Sequence, residues 1–212
     1  MRRAMLILGL GILAVAWFGP LPDLAERAFS AHMTMHMAVV AVASPLIAFG
    51  IAGGRFDPVR KFPIIFSPIP ASVAELLVVW AWHAPALHHA ARHTMAGFIV
   101  EQGTFLFTGL LVWFSVLGGV RTGGNQLNRT GSGIAALLLT SMHMTLLGAL
   151  LALTPRPLYV HAEASATLSA LVDQQLGGAI MIAVGGLSYL AGGLWLTMGV
   201  LRSTPVKAEA RA

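Results

Sequence analysis

The segment His32-Met33-Thr34-Met35-His36-Met37 packs two imidazoles and three thioethers into six residues. On a helix, residues four apart share a face, so His32 and His36 can reach one ion together. Met33 and Met37 form a second pair at the same spacing, turned by about 100° from the first. Imidazole suits zinc, copper and iron, whereas thioether selects Cu(I). The chain holds 8 His and 10 Met but no Cys, which excludes thiolate sites, disulfides and cysteine nucleophiles. A His/Met donor set without cysteine fits copper handling in an oxidising compartment. The competing reading is flexible methionine packing beside interfacial histidines.

Other residues extend this set. His143, in Met142-His143-Met144, lies inside a long apolar run. An ionisable side chain at that depth is costly and marks a functional site, unless it is a neutral imidazole bonded to a carbonyl or a Thr. It joins His32 and His36 if the two helices are neighbours. His83, in Trp82-His83-Ala84-Pro85, either points into the bundle or sits in an aromatic belt. His89 and His93 are four apart in a polar stretch and read as a surface pair. Glu75 is an ion-pair or relay residue, or a solvated one. Glu101-Gln102 and Asp173-Gln174-Gln175 stand at the starts of apolar runs, where acidic groups favour helix N-termini or orient ligand imidazoles from behind. Asp173 and Glu101 are assigned that supporting role.

The elements that position these residues must be helices in lipid. Of 212 residues, 57% are hydrophobic and 10% charged, against about 25% charged in a soluble domain. Six apolar runs, at 4–21, 31–50, 68–83, 97–119, 131–153 and 176–201, alternate with short polar breaks. No strand alternation suggests a barrel. The expectation is an all-α, polytopic bundle of about six transmembrane helices over residues 1–201, with a polar cytoplasmic tail at 202–212. The first run reads as a retained span, because the small residues Ala28-Phe29-Ser30 lie well beyond its end. With the N-terminus inside, every basic residue except Arg27, Arg92 and Arg156 falls on the inner side. The positive-inside rule then puts both termini in the cytoplasm, in a multi-pass protein of the inner (plasma) membrane. His32, His36, His83, His88, His89, His93 and His161 all fall at the outer end, and none lies in an inner loop.

Several functions are disfavoured. The net charge of +5 is spread over separate loops with no aromatic interleaving, so no nucleic-acid partner is expected. There is no Walker loop or Ser-centred elbow. In His32-Met33-x-x-His36 a Met occupies the place of the catalytic Glu of a zinc hydrolase, so no enzyme is expected. The alternative kept open is a haem-binding, cytochrome b-like electron carrier with His36 and His143 as axial ligands.

Four ordered motifs carry a resemblance. They are His32-Met33-x-x-His36-Met37, Trp82-His83-x-Pro85-x-Leu87, Thr154-Pro155-Arg156-Pro157-Leu158-Tyr159, and Asp173-Gln174-Gln175-Leu176-Gly177-Gly178 before Gly185-Gly186. Together, over about 30–201, they resemble the CtaG family of multi-span cytochrome c oxidase assembly factors. The resemblance implies a role in maturing a haem–copper oxidase, with Cu(I) delivered to the copper centre of its catalytic subunit. It implies metal ligands among His32, His36, His83 and His143, with Met33 and Met37, and Asp173 as the acidic mark before the last span. This sequence departs from the pattern twice. Glu101-Gln102 stands where the family commonly has an acidic–histidine pair, and Ile182 and Val184 replace its usual Trp and Pro.

Overall fold

The computed structural model describes residues 1–119, 126–159 and 168–203. Arg121, His161, Lys207, Arg211 and the tail from 204 onward lie outside the described residues. Among the described residues the regular elements are all helical. They are α1 (Arg2–Phe18), α2 (Leu21–Arg27), α3 (Phe29–Ile51), α4 (Pro68–Trp82), α5 (Pro85–His93), α6 (Met95–Leu117), α7 (Gln126–Leu153) and α8 (Ala170–Arg202). A short 3₁₀ turn, Pro58–Arg60, interrupts the α3–α4 connection.

Four helices, α3, α6, α7 and α8, are long and apolar enough to cross a membrane. The chain is therefore a multi-pass membrane protein. Helices α1 and α2 meet at a 48° bend and make a fifth span if they cross as one. The bend falls at Gly19-Pro20, where proline has no N–H to continue the ladder. Helix α4 has only 15 residues, about 22 Å at 1.5 Å per residue, against a hydrocarbon core of about 30 Å. Six apolar runs thus give four or five spans by length.

Two helices begin earlier than hydropathy predicts. The Thr94 side chain accepts from Gly97 N at 3.0 Å, and Ser169 accepts from Val172 N at 3.3 Å. These caps satisfy free N–H groups and start the helices at Met95 and Ala170. Glu101 then lies in the second turn of α6 and Asp173 in the first turn of α8, both buried. Without the caps both residues would sit at polar helix mouths.

Lipid does not drive apolar helices together, so close approach and polar contacts must. Helix α3 runs through the middle of the packing. Its C-terminal half lies on α1 and α6, and its N-terminal half on α8. Helix α4 packs on α6 and α7, and α7 packs on α8. The paired glycines of α8 divide this work, because consecutive residues on a helix point about 100° apart. A Cβ on Gly177 would lie 2.5 Å from Phe29 and 2.9 Å from Met33 of α3, while one on Gly178 would lie 2.6 Å from the Gly148 carbonyl of α7. Gly185 faces Met37 of α3, and Gly186 faces Thr145 of α7. The glycines therefore do not line one face, as their spacing suggests; they serve two neighbours.

Both α3 and α8 widen into one π turn, at Ala38–Ala43 and Met181–Gly186, and the two turns meet. Widening misaligns the carbonyl ladder, and hydroxyls fill in. Ser44 donates to Val39 O at 2.8 Å, Ser188 to Ala41 O at 2.7 Å, and Ser141 to Gly186 O at 2.9 Å. Glu75 is fully buried beside this region and accepts from the Tyr189 hydroxyl at 2.5 Å. It is therefore not a solvated residue. Outward faces carry Ile7, Leu8, Leu146, Leu150, Leu194 and Met198, as a lipid solvent requires.

The N-terminus of α3 is capped from the far end of the sequence. Asp173 accepts from Phe29 N at 2.6 Å, Ser30 N at 3.1 Å and Ser30 Oγ at 2.5 Å. A carboxylate there also meets the positive end of the helix dipole. Asp173→Ala should cost about 1–2 kcal/mol, the range of a lost N-cap, read as a lower unfolding midpoint in detergent. Gly177→Ala should cost about 1–3 kcal/mol by overpacking. Gly193→Ala, whose Cβ meets only ordinary contacts at 3.6–3.8 Å, should leave the midpoint nearly unchanged.

Candidate metal centre

The first turns of α3 place His32 and His36 one above the other, about 6 Å apart along the axis. Both are buried, at 1% and 0% exposure. His32 meets two further groups, His88 from α5 and Glu101 from α6. One ligand atom from each of the three lies within 4.8 Å of the others. His32 Nε2 and Glu101 Oε1 are 3.7 Å apart, too far for a hydrogen bond. A tetrahedral ion with bonds of about 2.1 Å sets its ligand atoms about 3.4 Å apart. The cluster is therefore within a small closure of coordinating geometry.

Polar atoms left over inside the cluster support the same reading. His32 Nδ1 and Glu101 Oε1 are buried and make no hydrogen bond. Burying such groups unpaired costs about 1–3 kcal/mol each, and an ion held between His32 Nε2 and Glu101 Oε1 would offset the carboxylate's share. The two imidazoles suit copper, zinc or iron, and the carboxylate adds a harder oxygen donor.

The surrounding shell is directional. Trp17 Nε1 of α1 donates to Gln102 Oε1 at 3.2 Å, and Gln102 Nε2 donates to Glu101 Oε2 at 3.1 Å. This chain holds one carboxylate oxygen and turns the other, Oε1, toward His32. Gln102, where the family pattern has a histidine, is thus a strap rather than a ligand. Glu101 lies among the ligand atoms rather than behind them. The Phe29 ring stacks on Tyr159 at 4.5 Å, and the His88 ring lies 4.4 Å from Tyr159 and 5.0 Å from His32. Tyr159 donates to the His83 carbonyl at 2.5 Å, and burial pushes its phenol up to about 12, so it stays a neutral donor.

Arg92, one turn beyond His88 on α5, donates through Nη1 to the Ala25 carbonyl. Burial pulls its guanidinium below the ordinary value, and the Glu101 and Glu26 carboxylates oppose that. The attraction between the two charges stabilises the Glu101 carboxylate in turn.

A second histidine pair lies one helical turn deeper. The His36 and His83 rings are 5.5 Å apart, and His36 packs 3.9 Å from Phe105. His83 Nδ1 bonds the Val79 carbonyl at 2.6 Å, which leaves Nε2 as the available nitrogen. That carbonyl contact is the usual way a ligating imidazole is oriented. Among the described residues neither His36 nitrogen has a hydrogen-bond partner.

The other predicted site residues go elsewhere. Met33 and Met37 pack against Gly177 and Gly185 of α8. His143 is buried in α7 with neither nitrogen hydrogen-bonded. Helices α3 and α7 are not a packed pair, and among the described residues no ring contact joins His143 to the cluster. Asp173 is bonded to Phe29 and Ser30, so it holds the helix end that carries His32. His89 and His93 form a ring pair at 4.0 Å on the other side of α5.

His88 is the residue that sequence reasoning passed over. Its signal was the amphipathic pattern of Pro85–His93, where His88 and Ala91 share the buried side. Reading 85–93 as a polar loop hid that pattern.

No curated protein and no solved structure gives a match to this chain. One family does match, described as cytochrome c oxidase caa3 assembly factor (Caa3_CtaG), and it covers residues 1–203. The chain therefore belongs to the cytochrome c oxidase caa3 assembly factor family.

Proposed function

We propose that this assembly factor carries copper as cargo, taking it at His32, His88 and Glu101 and passing it to the catalytic subunit of a haem–copper oxidase. The observation that carries the reading is the buried convergence of these three ligand groups from three helices. The family's assembly role selects copper among the metals that imidazole suits. His36 and His83 form the next imidazole pair along the same helix face. Transfer is ligand exchange: the ion loses a donor at one pair as it gains one at the next, with no net redox change. The oxidation state proposed for the cargo is Cu(I). Arg92 keeps the hold weak enough for release.

In this reading the chain crosses the inner (plasma) membrane six times, with α4 as a short span and both termini in the cytoplasm. The basic residues Arg2, Arg3, Arg55, Arg60 and Lys61 at the end opposite the histidines support that orientation. The histidine end then faces outward, where the copper centre of an oxidase receives its ion.

Elemental mass spectrometry of detergent-purified protein, loaded with Cu(I) under reducing conditions, tests the assignment. Near-stoichiometric copper is expected in the wild type. Loss of an outer support alone typically costs about 10–100-fold in affinity. Gln102→Leu should weaken copper binding to that extent, and His32→Ala or Glu101→Gln by at least as much, with oxidase copper content falling in parallel. Zinc retained in preference to copper, or variants that bind as the wild type does, would overturn the reading. A Soret band would move it to the haem-carrier alternative.

A further inference from the structure

The end of the bundle opposite the histidines holds a cavity of about 500 Å³ that the metal reading does not use. Arg2 at the start of α1 and Arg60 in the α3–α4 connection both line it. Its remaining wall is mostly apolar, with Phe49 of α3, Leu117 of α6 and Trp195 of α8.

The polar part of the wall is built rather than incidental. Asp57, 2% exposed, accepts from Gly53 N at 2.6 Å, Gly119 N at 2.7 Å and Val59 N at 3.0 Å. It ties the α3–α4 connection to the end of α6. Both glycines have left-handed φ, 70° and 85°, which other residues adopt only with strain. Three N–H groups occupy the Asp57 carboxylate. Among the described residues neither Arg2 nor Arg60 has a carboxylate within ion-pair distance. Helix α1 approaches α3 so closely at Gly50 that an added Cβ would lie 2.7 Å from Leu6. That approach sets the Arg2 guanidinium over Gly53, with Nη2 3.2 Å from where a Cβ would stand. The Arg129 guanidinium lies at the same distance behind Gly119, its Nη2 buried without a hydrogen-bond partner among the described residues.

A cavity with two forked cations, a third guanidinium behind its wall and no free carboxylate selects a phosphoryl anion, because guanidinium matches its oxygens in a bidentate way. The apolar side decides the source. Phe49 and Trp195 are 38% and 51% exposed, so the lining continues onto the lipid-facing surface. A free phosphate has no use for that side; a lipid fills both. We propose that this cavity binds the phosphodiester headgroup of an anionic phospholipid between Arg2 and Arg60, with the acyl portion along Phe49, Leu117 and Trp195. The site is independent of the metal centre.

Native mass spectrometry of the full chain in detergent tests it. The protein is titrated with phosphatidylglycerol and, separately, with phosphatidylcholine of the same acyl chains. The phosphatidylglycerol adduct should be retained several-fold more than the phosphatidylcholine adduct. Arg2→Gln/Arg60→Gln should remove that preference. Arg55→Gln/Lys61→Gln, which deletes the same charge outside the cavity, should keep it. Equal retention of the two lipids by the wild type overturns the proposal, and that comparison needs no variant to fold. Equal loss in both double variants also overturns it, since a diffuse basic surface would explain the binding. Displacement of phosphatidylglycerol by inorganic phosphate alone would overturn the lipid assignment in favour of a free-phosphate site.

Discussion

The carboxylate of Asp173 on the first turn of α3 is the contact on which the site depends. It joins two helices separated by about 140 positions in the chain and satisfies two backbone N–H groups where lipid offers no substitute. With the start of α3 held, His32 and His36 acquire fixed depth and direction. Gly177 lets Phe29 and Met33 sit directly against α8, so the same junction is closed by shape as well as by charge. Phe29 then stacks on Tyr159, Tyr159 bonds the carbonyl of His83, and the aromatic wall around His88 follows. A supporting residue with no imidazole contact thus governs the position of every imidazole near it.

Much of this was legible in the sequence, and the illegible part has physical causes. Charge deficit and apolar runs give helices in lipid because both are local properties. The i, i+4 spacing of His32 and His36 gives a shared face because helix geometry is fixed. Glycine pairs on α8 announce close packing, but not that adjacent glycines address different helices; that depends on which neighbours flank them. Glu101 and Asp173 were placed at helix mouths because hydropathy marks where apolar runs begin, whereas Thr94 and Ser169 decide where hydrogen bonding begins. His88 needed the recognition that 85–93 folds as an amphipathic helix. Met33 and Met37 share the spacing of the histidines, yet their direction is set by α8, which local sequence does not describe.

The donor set has consequences for the cargo. Thioethers would have made the site soft, whereas two imidazoles are borderline donors and the carboxylate is a hard one. Arg92 lies near enough to oppose a cation there, and Gln102 holds Glu101 from behind. A site with strong donors and a built-in opposing charge is suited to exchange rather than storage. That character agrees with the proposed role in an assembly factor that passes on its metal.

In the proposed site histidine and glutamate, not methionine, form the coordination shell. X-ray absorption spectroscopy of the copper-loaded protein addresses it directly. The expected result is a shell of nitrogen and oxygen only, at about 2.0–2.2 Å by analogy with the distances known for zinc, with imidazole scattering beyond it. A sulfur shell near about 2.3 Å would contradict it, placing the ion instead among Met33, Met37 and the thioethers turned toward α8.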